Sequence, residues 1–347
     1  MSDRLRVGLV GTGWVAHQHA TGYRQAAGDV VEITAACDPR AEVLETFCDR
    51  HEVPRRFARA EDLIASGEVD VLALLTPPAV RDEVIDPALA AGLHLLVEKP
   101  FATTGARAVR YTEAAESAGV RLAVGQNFRW FPEYQWLDQR LDRPDAGSAV
   151  YLEARSFQDR RQRPGQWRAE EHKLEMAIFS VHLIDRLQWL ARTEPVTVSA
   201  RTRRGLEAEP IPGEQLTALL VTFDGGVIAH LTSTWLARSL PVNDFRIDTT
   251  TGSAVVQRPG PMAGDARARA DFGSGPEEEL FPDRADDGGH ASRSYGLSMR
   301  ELATAVREGR EPRHSGRDNL RTMGIMEAAY LSAARGGEVV GIEEALA

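Results

Sequence analysis

Of the 41 lysine and arginine residues in this chain, only two are lysines, Lys99 and Lys173. Arginine stays protonated at any working pH, whereas a partly buried lysine amine titrates. Lys99 falls in Glu98-Lys99-Pro100, directly after the apolar run Leu93-His94-Leu95-Leu96-Val97. A titratable amine is thus kept at the end of an expected strand, although a solvated strand end is the plainer alternative. His182, on the apolar stretch 174–190, is a second candidate: an imidazole near neutrality can take a proton from a hydroxyl. On the local sequence alone, a satisfied core histidine is the better reading. Glu175, seven residues before His182, falls on the same face of an ideal helix and could add a carboxylate; a solvated glutamate is its alternative. Asp185 lies one turn after His182.

These groups need a frame. From residue 4 to about 125, short apolar runs alternate with amphipathic stretches. Strands are expected at 4–10, 31–37, 69–75, 93–98 and 121–125, and helices at 15–27, 40–51, 60–66, 80–91 and 103–118. This alternation predicts βαβ units in a doubly wound parallel sheet. The first strand leads into Gly11-Thr12-Gly13-Trp14-Val15-Ala16 and then a helix, which is the context of a dinucleotide fingerprint. Gly11 allows the tight turn and Gly13 a close approach of pyrophosphate. The helix start at Trp14 and Val15 offers free N–H groups. The second strand ends at Asp38, whose carboxylate can take the ribose hydroxyls of NAD. Arg40 could instead hold the extra phosphate of NADP, so NAD is expected with NADP open. Thr76-Pro77 and Glu98-Lys99 close later strands at the edge where such sheets bind ligands.

A net charge of −10 argues against nucleic-acid binding, which needs a basic face. The start of the chain shows no apolar signal region, and no run reaches the roughly 18 apolar residues of a membrane span, so a cytoplasmic protein is expected. Cys37 and Cys48 are isolated and form no CxxC pair, which fits a reducing compartment, and no metal-spaced His/Cys cluster is present.

Together the glycine fingerprint, Thr76-Pro77, Ala91-Gly92-Leu93-His94 leading into Glu98-Lys99-Pro100, Gly125-Gln126-Asn127-Phe128-Arg129, Trp167-Arg168 and His182-Leu183-Ile184-Asp185 resemble the Gfo/Idh/MocA family of NAD(P)-dependent oxidoreductases. The resemblance implies a Rossmann domain (1–125) followed by an α/β domain (126–347) with a large, mainly antiparallel open sheet. The last helices would return toward the first domain. It implies a homodimer or homotetramer formed through that sheet, and a sugar, polyol or glycoside substrate. In the family pattern the histidine faces the nicotinamide as base, and the lysine of Glu-Lys-Pro assists. Glu98, Gln126, Trp167 and Arg168 would lie near the cofactor, and Arg129, Glu175 and Asp185 near the substrate. Two positions depart from the pattern. Ile178 stands where the family often has an aspartate four residues before the histidine, and Arg81 where many relatives have a histidine. The departures leave room for two other readings, a redox-neutral NAD-dependent glycosidase and a non-catalytic NAD(P)-binding regulator.

In the second half, strands are expected at 150–156, 197–202, 216–223, 226–235 and 245–250, with a hairpin signal at Asp224-Gly225-Gly226. Helices are expected at 174–190, 299–308 and 317–335. The arginines of 155–168 read as a solvated charge run or, less simply, as a site for an acidic or phosphorylated sugar. Residues 257–293 show no persistent period and are expected to form a mobile loop with His290 exposed.

Overall fold

The computed structural model describes residues 4–160, 162, 167–205, 211–262, 264–283 and 289–346. It divides into two units, Met1–Trp130 with Ala285–Leu320 and Phe131–Arg284 with Arg321–Ala347.

The first unit runs β1 (Leu5–Val10), α1 (Trp14–Ala26), β2 (Val31–Cys37), α2 (Ala41–His51), β3 (Arg55–Phe57), α3 (Ala60–Ala65), β4 (Val71–Leu74), α4 (Asp82–Ala90), β5 (His94–Val97), α5 (Gly105–Ser117) and β6 (Leu122–Val124). The strands form one parallel sheet in the order β3-β2-β1-β4-β5-β6. Val7, Leu9, Val71, Leu72, Leu74, Leu95 and Leu96 are wholly buried, as strands covered on both faces require. The five expected strands and five expected helices are present with small boundary shifts. Strand β3 was not expected: Arg-Arg-Phe carries no apolar run, and its pairing with Ala35–Cys37 alone makes it a strand.

The second unit holds α6 (Pro132–Leu141), β7 (Ala149–Phe157), a π-helical turn (Met176–Ser180) running into α7 (Val181–Ala191), β8 (Pro195–Arg204), β9 (Glu214–Phe223), β10 (Ile228–Thr234), β11 (Val242–Thr249), β12 (Ser253–Gln257), β13 (Ala266–Asp271) and β14 (Glu277–Phe281). Beyond β14 the chain forms α8 (Gly289–Glu308), which counts with the first unit, then α9 (Gly316–Ala334), β15 (Val340–Gly341) and α10 (Ile342–Leu346). The nine strands lie in the order β14-β13-β12-β11-β7-β10-β9-β8-β15, and only β7 and β10 run parallel. Leu152, Ala154, Leu219, Val221, Ala229, Leu231, Phe245 and Ile247 fill the covered face of this mainly antiparallel sheet.

Three expectations need correction. Residues 257–293 are not one loop: they hold β13, β14 and the start of α8, and His290 is half-buried on that helix. In Ala266–Asp271 the alanines turn inward and the arginines outward, a true period of two hidden by alanine's poor strand propensity. Glu277–Phe281 gains its structure from pairing with β13, helped by the Arg267–Glu278 ion pair. Residues 284–288 of that stretch lie outside the described residues. Helix α8 also starts ten residues before the expected 299, because Gly22 of α1 and Gly296 of α8 let the two helices touch backbone to backbone. A Cβ at Gly22 would meet the Ser292 carbonyl oxygen at 2.0 Å, and one at Gly296 the Gly22 oxygen at 1.9 Å. Finally, the stretch 174–190 is not one α-helix. Its π turn breaks the seven-residue equivalence, so Glu175 and His182 do not share an α-helical face.

Candidate active site

The carboxyl edge of the parallel sheet gathers the turns after β1, β2, β4 and β5. Gly11 sits at φ +95, and a Cβ there would press on the Leu75 backbone at 3.2 Å, so only glycine fits. Gly13 faces open space, and a Cβ there would meet nothing within 4 Å. No side chain caps the start of α1 at Trp14 and Val15, and Ala16 is wholly buried against the sheet. A pyrophosphate therefore fits against bare N–H groups at a positive helix end. Asp38 is buried at the end of β2. One oxygen, Oδ2, accepts from the Thr12 backbone N (3.0 Å) and Thr12 Oγ1 (3.1 Å), and Arg40 clamps both oxygens at 3.0 Å. Burial raises its pKa, but the Arg40 guanidinium and the Thr12 and Arg40 amides outweigh burial and bring it down to about 2. The carboxylate is permanently charged, and the Arg40 guanidinium already answers to it.

The turns after β4 and β5 are tied by Arg81, which is buried. Its guanidinium donates to the Thr76 carbonyl (2.8 and 3.2 Å), to the Phe101 carbonyl (3.2 Å) and to the Pro100 carbonyl. Burial lowers its pKa to about 10, against the pull of Glu98 and Tyr111. Arg81 thus pins Thr76-Pro77 to the segment after Lys99, a role nothing in the local sequence announces. Glu98 points into the unit: Oε1 lies 3.0 Å from His19 Nε2, and Oε2 accepts from the Lys99 backbone N at 3.2 Å. His19 Nδ1 in turn meets the Tyr23 hydroxyl at 2.9 Å. Glu98 braces the turn from inside, while Lys99 is half-buried at its tip. Gln126 is buried at the end of β6. Arg129, expected near the substrate, is buried and engaged by Asp318 Oδ2 (2.5 Å) and the Arg313 carbonyl (3.0 Å).

In the second unit, β9 sets the start of the helix that carries His182. Glu214 accepts from the backbone N of Leu174 (3.1 Å) and of Met176 (2.9 Å), and from the Tyr330 hydroxyl (2.8 Å). A carboxylate at a helix N-terminus complements the free N–H groups and the dipole. The π turn follows, and in it Ser180 reaches back five residues to Glu175 Oε1 at 2.7 Å. Glu175 is wholly buried, so the solvated alternative fails. Oε1 also accepts from Ser233 (2.6 Å) and Oε2 from Thr217 (2.8 Å). Burial pushes its pKa up to about 7, with Glu214 adding to the rise and the three hydroxyls opposing it. His182 is buried one residue into α7, and Ile178 is half-buried in the π turn. Asp185 is buried and accepts from Thr322 Oγ1 at 3.0 Å and Gln188 Nε2 at 3.4 Å, contacts that join α7 to α9. Of the arginine run, Arg160 and Arg168 are half-buried and Arg155 pairs with Asp244 at 2.7 Å, so these three are not a solvated stripe. Trp167 lies in a short 3-10 turn, and its side chain, like Arg161 and Arg163, falls outside the described residues.

The sheet order, the bare glycine turn and the acidic end of β2 define a dinucleotide-binding protein of the Rossmann class. Residues 5–126 match the model of the oxidoreductase family with NAD-binding Rossmann fold, and residues 134–255 match the GFO/IDH/MocA C-terminal domain. The chain belongs to the Gfo/Idh/MocA family. It is 27% identical to the D-apiose dehydrogenase of Paraburkholderia graminis, over 97% of this chain and 89% of that protein. It is 27% identical to an inositol 2-dehydrogenase of Corynebacterium glutamicum, over 58% of each. Among solved structures, an oxidoreductase from Agrobacterium radiobacter in complex with NAD+, L-tartaric acid and magnesium superposes with a TM-score of 0.86 at 23% identity. That match covers 98% of this chain and 99% of the other and shows the same fold.

Proposed function

We propose that this protein transfers a hydride between NAD and a hydroxyl-bearing carbon of a sugar, polyol or glycoside, with Lys99 and His182 handling the hydroxyl proton. The observation that carries this is the cradle at the sheet edge. Gly11, the open Gly13 and the uncapped α1 fit a pyrophosphate, and Asp38 fits a ribose. The polyol reading draws further support from the dehydrogenases of apiose and inositol among the relatives. NAD supplies the hydride acceptor when bound. The protein's own work is to hold and move protons. An alcohol gives up a hydride only as its O–H proton leaves, and the His182 imidazole is assigned to take it. Lys99 is assigned an ammonium whose charge favours an alkoxide. Arg81, Glu98 and Glu214 fix the two supports. Trp14 and Val15 contribute backbone N–H groups, with Thr76, Pro77, Gln126 and Trp167-Arg168 assigned to the cofactor's surroundings.

The test is NADH formation over a panel of sugars and polyols. Turnover of a polyol is expected, and His182→Ala should lower kcat by about 10²–10⁴-fold with NAD+ affinity kept. No NAD+ binding, or no hydride transfer across the panel, would remove the reading. We further propose that the protein is a homo-oligomer through the uncovered face of the large sheet, where Leu220 and Ile228 stand exposed on adjacent strands.

A further inference from the structure

The polar end of the covered sheet face in the second unit contains groups that neither the proton chemistry nor the fold uses. Gln215 and Trp235 pair across β9 and the end of β10: the Trp235 backbone N donates to the Gln215 carbonyl at 2.9 Å. Both side chains are wholly buried. Neither Nε2 nor Oε1 of Gln215 finds a partner among the described residues, and neither does the Trp235 indole Nε1. By strand alternation Gln215 shares a face with Thr217 two residues on, and Thr217 bonds Glu175. So the unused amide lies beside the Glu175 cluster, toward the end of the sheet.

Arg160 reaches the same place from the segment after β7. Its backbone N donates to the Trp235 carbonyl at 3.1 Å, and its guanidinium lies over the Trp235 ring, 4.8 Å from the centroid. Stacking on an indole fixes the plane of the guanidinium fork while leaving its N–H edge available. Among the described residues that fork makes no hydrogen bond and no ion pair. Burial and, after it, the neighbouring Arg168 bring the Arg160 pKa down to about 10 against the opposing pull of Glu175. The Arg160 guanidinium thus feels the Arg168 guanidinium on one side and the Glu175 carboxylate on the other. That carboxylate is already saturated by Ser180, Thr217 and Ser233 and stays partly protonated near neutral pH. The Arg160 fork therefore has no carboxylate bonded to it among the described residues, and an incoming anion would supply one.

The geometry points to a subsite for an anionic sugar, built by the Arg160 guanidinium, the Gln215 amide and the Trp235 indole N–H beside Arg168. The inference rests on the oxidoreductase reading above and narrows its substrate to a sugar bearing a carboxylate or a phosphate. The guanidinium fork and the indole N–H donate to the anion. The Gln215 amide donates to it and accepts from a neighbouring hydroxyl.

Calorimetry with D-gluconate, glucose 6-phosphate and D-glucose, on the protein with and without NAD+, tests it. Gluconate binding at least tenfold tighter than glucose, with that advantage lost in Arg160→Gln and Gln215→Glu, is the expected result and identifies a carboxylate. The same pattern with glucose 6-phosphate supports the site and identifies a phosphate. If Arg160→Gln does not fold, as judged by its melting temperature, Arg160→Lys serves: it keeps the charge, loses the fork, and should retain only part of the advantage. No advantage of either anion over glucose, or an advantage that survives the substitutions, overturns the inference. Hydride transfer to a neutral polyol would then leave the oxidoreductase reading intact, whereas loss of NAD+ binding and of all turnover would overturn that reading itself.

Discussion

Lys99 and Asp38 carry charges that the chain could have supplied with other residues, and the surroundings of each say what its own type contributes. The Lys99 amine ends a turn held by Arg81 and Glu98, so Lys99→Arg keeps a cation but gives up an easily titrated one. Kinetics with a turned-over polyol should show kcat falling by about 10²-fold or more, with NAD+ affinity within twofold; unchanged turnover would take Lys99 out of the chemistry. Asp38 stays ionised down to about pH 2, so cofactor affinity should show no acid limb from this group above pH 4. Asp38→Ala should weaken NAD+ about tenfold, measured by fluorescence titration, as both the ribose acceptor and the anchor for the Thr12 amide disappear. Glu175 behaves in the opposite sense. It binds its proton more tightly folded, at about 7, than unfolded, at 4.5, so its own contribution to stability is full below pH 4.5 and is lost as pH rises through 7. The loss is on the order of 3 kcal/mol. Melting curves should show this decline between pH 5 and 8 in the wild type and a flatter profile in Glu175→Gln.

At the scale of elements, most of the parallel sheet was legible, because strands buried on both faces must be continuous apolar runs and nothing else in the chain looks like them. What escaped was structure made by neighbours. Strand β3 has two arginines in three residues, and β13 alternates alanine with arginine. In each, the partner strand provides what the local sequence does not. The π turn escaped for the same reason: it forms where Glu214 grips the helix start and Ser180 reaches Glu175, contacts that no local period announces. The α1–α8 contact is also tertiary. Gly22→Ala puts a methyl group into the Ser292 carbonyl and should cost about 1–3 kcal/mol or more, read by denaturant unfolding, whereas an alanine at the unobstructed Gly67 would strain only its positive φ.

On the scale of the whole molecule, the uncovered sheet face presents Leu220 and Ile228 to solvent in a single chain. Leu220→Arg should shift the protein toward monomer in sedimentation velocity, and an unchanged assembly would place the interface elsewhere. Sequence by itself determined the dinucleotide fingerprint, its strand–helix context and the acidic end of β2, because these depend on residues adjacent in the chain and on the conformational limits of glycine. It also marked Lys99 by its type and place, and His182 through the resemblance to the family. Tertiary structure alone decided the rest. It made Arg81 a tie between two turns, committed Arg129 and Asp185 to helix contacts, buried Glu175 among three hydroxyls, and set Arg160 over Trp235. A side chain's partners come from elements that meet only on folding, and a charge buried beside hydroxyls reads in the sequence the same as one left in water.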